Sequence, residues 1–188
     1  MSTDKPDSLL SEALAHPVET VRRQLMSGAT ALPLLWLSLF IILVDQATKL
    51  WVVAVFQLYE RLTLLPILEF TRLHNTGAAF SFLAEEDGWQ RWFFVVLAAI
   101  VSIGITGWLR KLDPRQQPLL CLGLACILGG ALGNVIDRLL HGHVVDFIHF
   151  HWGERWWFPA FNVADISITA GAGLLMLDAF IEPGRKTK

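Results

Sequence analysis

Four stretches of this chain are long and apolar enough to cross a bilayer, and no other property restricts its fold so strongly. They run roughly from Ala31 to Phe56, Trp92 to Leu109, Pro118 to Leu140 and Phe161 to Ile181. Each is close to the roughly 20 residues that a helix needs to span the hydrocarbon core. With 54% hydrophobic and 17% charged residues and a mean hydropathy of +0.49, the chain is too apolar for an ordinary soluble domain. A net charge of -2, without a basic stripe carrying interleaved aromatics, argues against nucleic acid as a partner.

An even number of spans puts both termini on one side. Arg22, Arg23, Arg110, Lys111, Arg115, Arg185, Lys186 and Lys188 cluster near the termini and the middle loop, whereas the two opposite loops carry mainly Arg61, Arg72 and Arg155, with Arg91 and Arg138 at their edges. This basic excess assigns the termini and the middle loop to the cytoplasm, with residues 57–91 and 141–160 facing outward. Residues 1–30 form a polar tail without the basic start and short apolar core of a secretory signal, and an amphipathic helix is expected at Ser8 to Leu25. A basic tail, residues 182–188, ends the chain. Cys121 and Cys126 lie five apart in one apolar segment and point to different sides of a helix, so neither a disulfide nor a thiolate metal site is expected.

In the first outward segment Ile67, Glu69, Thr71 and Leu73 alternate with Leu68, Phe70, Arg72 and His74, a period of two that predicts a small sheet on the outer surface. The second outward segment, "HGHVVDFIHFHWGERWWFPA", is crowded with Trp and Phe and is expected to lie along the headgroups. The fold class read from these signals is an all-α membrane protein, four transmembrane helices with a small β-sheet and an interfacial segment on the outer face.

Polar groups inside the spans are the candidates for chemistry, because an ionised carboxylate in mid-bilayer costs about 2.5 to 3.5 kcal/mol or more. Asp45 and Lys49 lie four apart on one helix face, a spacing that serves either an internal pair or a substrate-facing role. Gly129, Gly130 and Gly133 admit a closely packed neighbour. Asn134 and Arg138 continue the Gly130 face toward the outer end, next to Asp137. Asp146 just after the third span and Asp165 one turn into the fourth reach the same interface. Two facing carboxylates cannot both ionise easily, so such a pair can share a proton and work on a water molecule. The bland alternative makes Asn162 a helix N-cap and leaves Asp165 as a dipole contact. His141, His143, His149 and His151 flank Asp146 and invite a metal-site reading, but their spacing fits no HExxH-type pattern. Ser81 with Lys49 would suit a Ser-Lys hydrolase if the lysine were neutral. A non-enzymatic proton-coupled transporter or channel would use Asp45, Asp137, Asp146 and Asp165 as a relay.

Five ordered blocks, "DQATK", "NTGAAFS", "GGALGNVIDR", "VVDF" and "FNVADISI", resemble those of signal peptidase II, the bacterial lipoprotein signal peptidase, over roughly residues 31–181. The resemblance implies an intramembrane aspartic endopeptidase of the bacterial cytoplasmic (inner) membrane. Such an enzyme cleaves diacylglyceryl-modified prolipoproteins immediately before the lipidated cysteine and needs no metal or organic cofactor. It places the catalytic pair at Asp146 and Asp165 and substrate-binding or supporting roles at Asp45, Lys49, Asn75, Gly130, Asn134, Arg138 and Asn162. It also implies contact with membrane lipids. The polar tail of residues 1–30, and His149 and His151 close behind "VVDF", depart from the family pattern without touching a motif block.

Overall fold

The computed structural model describes residues 30–77, 89–153 and 155–181. The expected helix at Ser8 to Leu25, Ser81, the C-terminal tail and all of the N-terminal tail but Thr30 lie outside these residues.

Four long helices are present at the four apolar segments. A 3-10 turn at Leu32–Leu34, opened by Pro33, leads into α1 (Leu35–Val55); α2 is Trp89–Leu109, α3 is Pro118–His141 and α4 is Val163–Ile181. All four are long and apolar enough to cross a membrane. Their outer faces expose large apolar side chains, such as Trp36 and Phe180 at 75% and 82% exposure, while Asp45, Lys49, Asn134, Asp137 and Asn162 are buried. That inverted distribution is stable only when the surroundings are hydrocarbon.

Helix α3 is central. It packs along α4, α1 and α2, whereas α2 and α4 scarcely touch each other. Glycines allow the closest of these contacts. A Cβ at Gly130 would fall on the carbonyl oxygen of Ala164, one at Gly171 would come within 2.6 Å of the Gly123 oxygen, and one at Gly129 would meet the Ser38 backbone. The GGALG run therefore serves two neighbours, α4 through Gly130 and α1 through Gly129.

A four-stranded antiparallel sheet caps one end of the bundle. Its strands are β1 (Arg61–Leu65), β2 (Leu68–Asn75), β3 (Val144–Trp152) and β4 (Trp156–Trp157), in the order β1-β2-β3-β4. Strand β2 follows the period of two, with Glu69 and Thr71 buried between less buried neighbours. Strand β3 is the longest of the sheet and lies within the segment read from sequence only as interfacial. Its Val144, Val145, Asp146 and Phe147 are all buried, so both faces are covered and no alternation marks it as a strand.

Two joints fix the sheet on the helices. Arg72 Nη1 donates to the carbonyls of Val53 (3.3 Å) and Phe56 (3.1 Å), taking up acceptors that the last turn of α1 leaves open. Gly142 ends α3 in the left-handed conformation, with φ of 81° and its N–H on the Arg138 carbonyl, a cap that only a residue without Cβ adopts at no cost. The chain then enters β3 two residues later. Val52 and Phe56 of α1 pack with Val145 and Phe147 of β3, and a second apolar cluster joins Ile105, Leu109, Leu124 and Leu128 toward the opposite end.

Candidate active site

Helix α4 explains why an apolar span begins with polar residues. The Asp165 N–H donates to Asn162 Oδ1 (3.0 Å), and the Asn162 N–H donates back to Asp165 Oδ2 (3.2 Å). This is a reciprocal capping arrangement in which two of the first amides of the helix find acceptors. Asp165 also sits in the positive field of the helix N-terminus. The capping reading of these two residues is therefore correct.

The Asn162 amide reaches the second carboxylate. Its Nδ2 donates to Asp146 Oδ1 (2.8 Å), and lies near the Val145 carbonyl (3.3 Å) and Asn134 Oδ1 (3.2 Å). Asp146 Oδ2 accepts from Asn75 Nδ2 at 2.9 Å, and Asn75 in turn accepts the Gly77 N–H through its Oδ1 at 2.8 Å. Pairing of β2 with β3 brings this about by setting Asn75 opposite Val144 and Leu73 opposite Asp146. Asp165 Oδ1 accepts from Asn134 Nδ2 at 2.8 Å. One asparagine thus touches both carboxylates, and three asparagines orient the pair.

A buried charged group stands behind it. Lys49 Nζ lies 2.8 Å from Asp45 Oδ2, 3.1 Å from Asp137 Oδ2 and 2.9 Å from Asn134 Oδ1, so its three hydrogens each have an acceptor. A cation in that state is poorly suited to act as the neutral base of a Ser-Lys pair. Arg138 stacks its guanidinium 4.8 Å from the Phe94 ring centre and donates to the Asn134 carbonyl at 3.4 Å. Gly130 lets α3 approach the Ala164 backbone directly ahead of Asp165. Asp45, Lys49, Asn75, Gly130, Asn134, Arg138, Asp146, Asn162 and Asp165 thus fall in one assembly drawn from α1, β2, α3, β3 and the start of α4. Gln46 and Asp137 belong to it too; the sequence reading gave them no supporting role, and the signal available was their place inside the blocks "DQATK" and "GNVIDR".

Burial pushes the Asp146 carboxyl up to about 7, and the neighbouring Asp165 carboxylate adds to the shift, while the amides of Asn75 and Asn162 and the Lys49 ammonium oppose it. Asp146 accordingly keeps its proton to much higher pH than an ordinary carboxyl. One protonated and one ionised carboxyl can deliver and remove a proton in the same step.

The histidines fall into two groups. His141 and His143 rings are 6.0 Å apart, His143 stacks on His74 at 3.7 Å, and His149 and His151 lie against Trp157. His149 Nδ1 is 3.2 Å from Glu69 Oε1. Burial and neighbouring positive charge hold His74 and His143 below the ordinary imidazole range. Among the described residues no three or more His, Cys, Asp or Glu side chains are arranged to hold a metal ion.

A family model described as signal peptidase (SPase) II matches residues 37–181. The chain is 47% identical over 150 residues to a lipoprotein signal peptidase of Pseudomonas aeruginosa, covering 79% of this chain and 88% of that protein. It is 51% identical over 150 residues to one of Ectopseudomonas mendocina, with the same coverage. A third, from Alteromonas mediterranea, is 47% identical over 159 residues, covering 85% of this chain and 86% of its own length. Two solved structures, each titled as a bacterial membrane enzyme obtained by the in meso method, superpose with a TM-score of 0.69 at 30% identity. They cover 83% and 81% of this chain, and this chain covers 93% and 94% of theirs.

Proposed function

The chain belongs to the signal peptidase II family, and from that premise and the geometry of the site we propose that Asp146 and Asp165 are its catalytic pair. It is a multi-pass bacterial membrane protein and an aspartic endopeptidase that cleaves the signal peptides of prolipoproteins. The observation that carries the assignment of the pair is the double engagement of Asn162, which bonds Asp165 through its backbone and Asp146 through its amide. A residue so placed fixes the two carboxyls relative to each other.

In the proposed reaction Asp146 holds the shared proton and Asp165 is the carboxylate. Asp165 takes a proton from water as the oxygen attacks the scissile carbonyl, and Asp146 gives its proton to the developing oxyanion, yielding a tetrahedral diol. Collapse of the diol passes a proton to the leaving amine and restores the pair. Arg138, whose positive charge is felt by both aspartates, would offset the charge that develops.

The substrate reading is a cysteine carrying a diacylglyceryl group, cut on its amino side. Two features support it. Helices α2 and α4 both pack on α3 but scarcely touch each other, an arrangement that would admit a signal helix lying in the bilayer. An open apolar groove of about 350 Å³ between Ile67, Phe150, Trp152, Trp156, Phe158 and Phe161 ends at the residue before Asn162 and suits acyl chains. The basic residues near the termini orient the chain with both tails, residues 1–30 and 182–188, in the cytoplasm and residues 31–181 as the peptidase unit, so the site lies toward the outer face.

The test is cleavage of a lipidated precursor by Asp146→Asn and Asp165→Asn proteins. Each is expected to insert and fold yet lose at least about 100-fold in turnover, the low end of what a positioned acid or base contributes. Turnover near the unaltered rate by either variant would remove that residue from the pair.

A further inference from the structure

Asp45 and Asp137 are placed alike with respect to the two aspartates of the site. Asp45 Oδ1 accepts the backbone N–H of Ala164 at 2.9 Å, and Asp137 Oδ2 accepts that of Val145 at 3.0 Å. Ala164 immediately precedes Asp165, and Val145 immediately precedes Asp146. Each supporting carboxylate therefore holds the backbone N–H of the residue that precedes one member of the pair.

The two grips are tied together. Gln46 Nε2 donates to Asp137 Oδ1 at 2.9 Å and lies 3.2 Å from both Asp45 Oδ2 and the Gly133 carbonyl. Lys49 bridges the same two carboxylates from its own side and also fixes Asn134, whose other amide end donates to Asp165. Gly133 makes the room: a Cβ there would stand 2.6 Å from Asp45 Oδ2. Asp45, Lys49 and Asp137 are at most 3% exposed. Burying two carboxylates and an ammonium is no gain over well-packed apolar side chains, so stability alone does not account for the group.

We propose that Gln46 and Asp137 are positioning residues which, with Asp45 and Lys49, form a yoke that sets the separation of Asp146 and Asp165 through the backbone N–H groups of the residues preceding them. The yoke rests on the reading of Asp146 and Asp165 as the catalytic pair. It acts on geometry and touches no substrate, so its loss is felt in turnover and not in binding. A misplacement of about 1 Å in a site of this kind costs on the order of 100-fold.

The experiment compares Gln46→Met and Gln46→Ala, which remove the bridging amide without changing charge, with Asp146→Asn in one assay on a lipidated precursor across pH. The yoke predicts that kcat falls by about 10- to 100-fold while KM stays within about twofold. It also predicts that the alkaline limb of the profile moves to lower pH, because carboxyls no longer held together repel less. Asp137→Asn, which keeps an oxygen for the Val145 N–H, should retain more activity than Asp137→Leu. Unchanged kcat and an unmoved limb in both Gln46 variants, with Asp146→Asn inactive, would overturn the yoke and leave the pair standing. A fall in kcat with the limb unmoved would overturn it as well, by making Gln46 structural only. Full turnover by Asp146→Asn would sink the catalytic pair, and the yoke with it.

Discussion

Asn162 and Asp165 bond each other in both directions, backbone to side chain each way. A carboxylate tied in this manner cannot swing away from its helix end, so its distance from Asp146 is set by the chain itself. Replacing Asn162 with leucine removes the amide to Asp146 and one cap of α4 together. We expect turnover to drop at least about 100-fold and thermal stability to fall by about 1 kcal/mol, as for the loss of an N-cap. Thermal unfolding in detergent alongside the cleavage assay checks both.

The alkaline limb of the pH profile is the second expectation. Asp146, raised to about 7, is protonated below that pH, and the proposed reaction uses its proton, so cleavage should decline as pH rises through about 7. Asn75 lowers this pKa by bonding the ionised carboxylate, and Asn75→Leu should therefore displace the limb to higher pH. The same shift bears on stability. The folded protein keeps a proton that the unfolded chain releases above the ordinary value of 3.8, so the contribution of Asp146 to stability declines from about pH 4 to about pH 7. In Asp146→Asn that part of the pH dependence should vanish.

Gly130 offers a mutation outside the hydrogen-bond network. A methyl group there collides with the Ala164 carbonyl, and α4 must move away from α3 to accept it. Gly130→Ala should destabilise the protein by about 1 to 3 kcal/mol, the usual range for overpacking, and reduce kcat more than it raises KM. A wild-type melting temperature would show that the helices yield without strain.

Lipid on the substrate cysteine should dominate binding. Burial of acyl chain contributes about 0.8 kcal/mol per methylene, and on the proposed substrate the chains would fix the cysteine at the depth of the two aspartates. One precursor assayed before and after lipid transfer, reconstituted in the same bilayer, measures this. Unlipidated material should be cleaved at least about 100-fold more slowly, and equal rates would refute selection by the lipid.

The helices were legible because span length is a property of unbroken sequence: α3 was expected at Pro118 to Leu140 and ends at His141. Strand β2 was legible by its alternation. Strand β3 was not, since covering Val144 to Phe147 on both faces erases the period that reveals a strand. Of the site, the pairing of Asp45 with Lys49 follows from helical spacing. That Asp137 would join them, and that Asn75 would meet Asp146, depends on how β2 and β3 register and on how closely glycines let α3 approach its neighbours. Neither is written in any local stretch.

Strand β3, paired with β2 across the whole of α2 and α3, also sets a sequence of events in time. Asp45 leaves the ribosome early, but Asp165 lies in the last quarter of the chain, and the hydrogen bonds that hold Asp146 come from Asn75 on one side and Asn162 on the other. No partial product of synthesis that stops short of α4 contains the pair. On the proposed pair, a membrane receiving this chain thus meets three spans before it meets a complete site, and proteolytic power would arrive only with the insertion of the final helix.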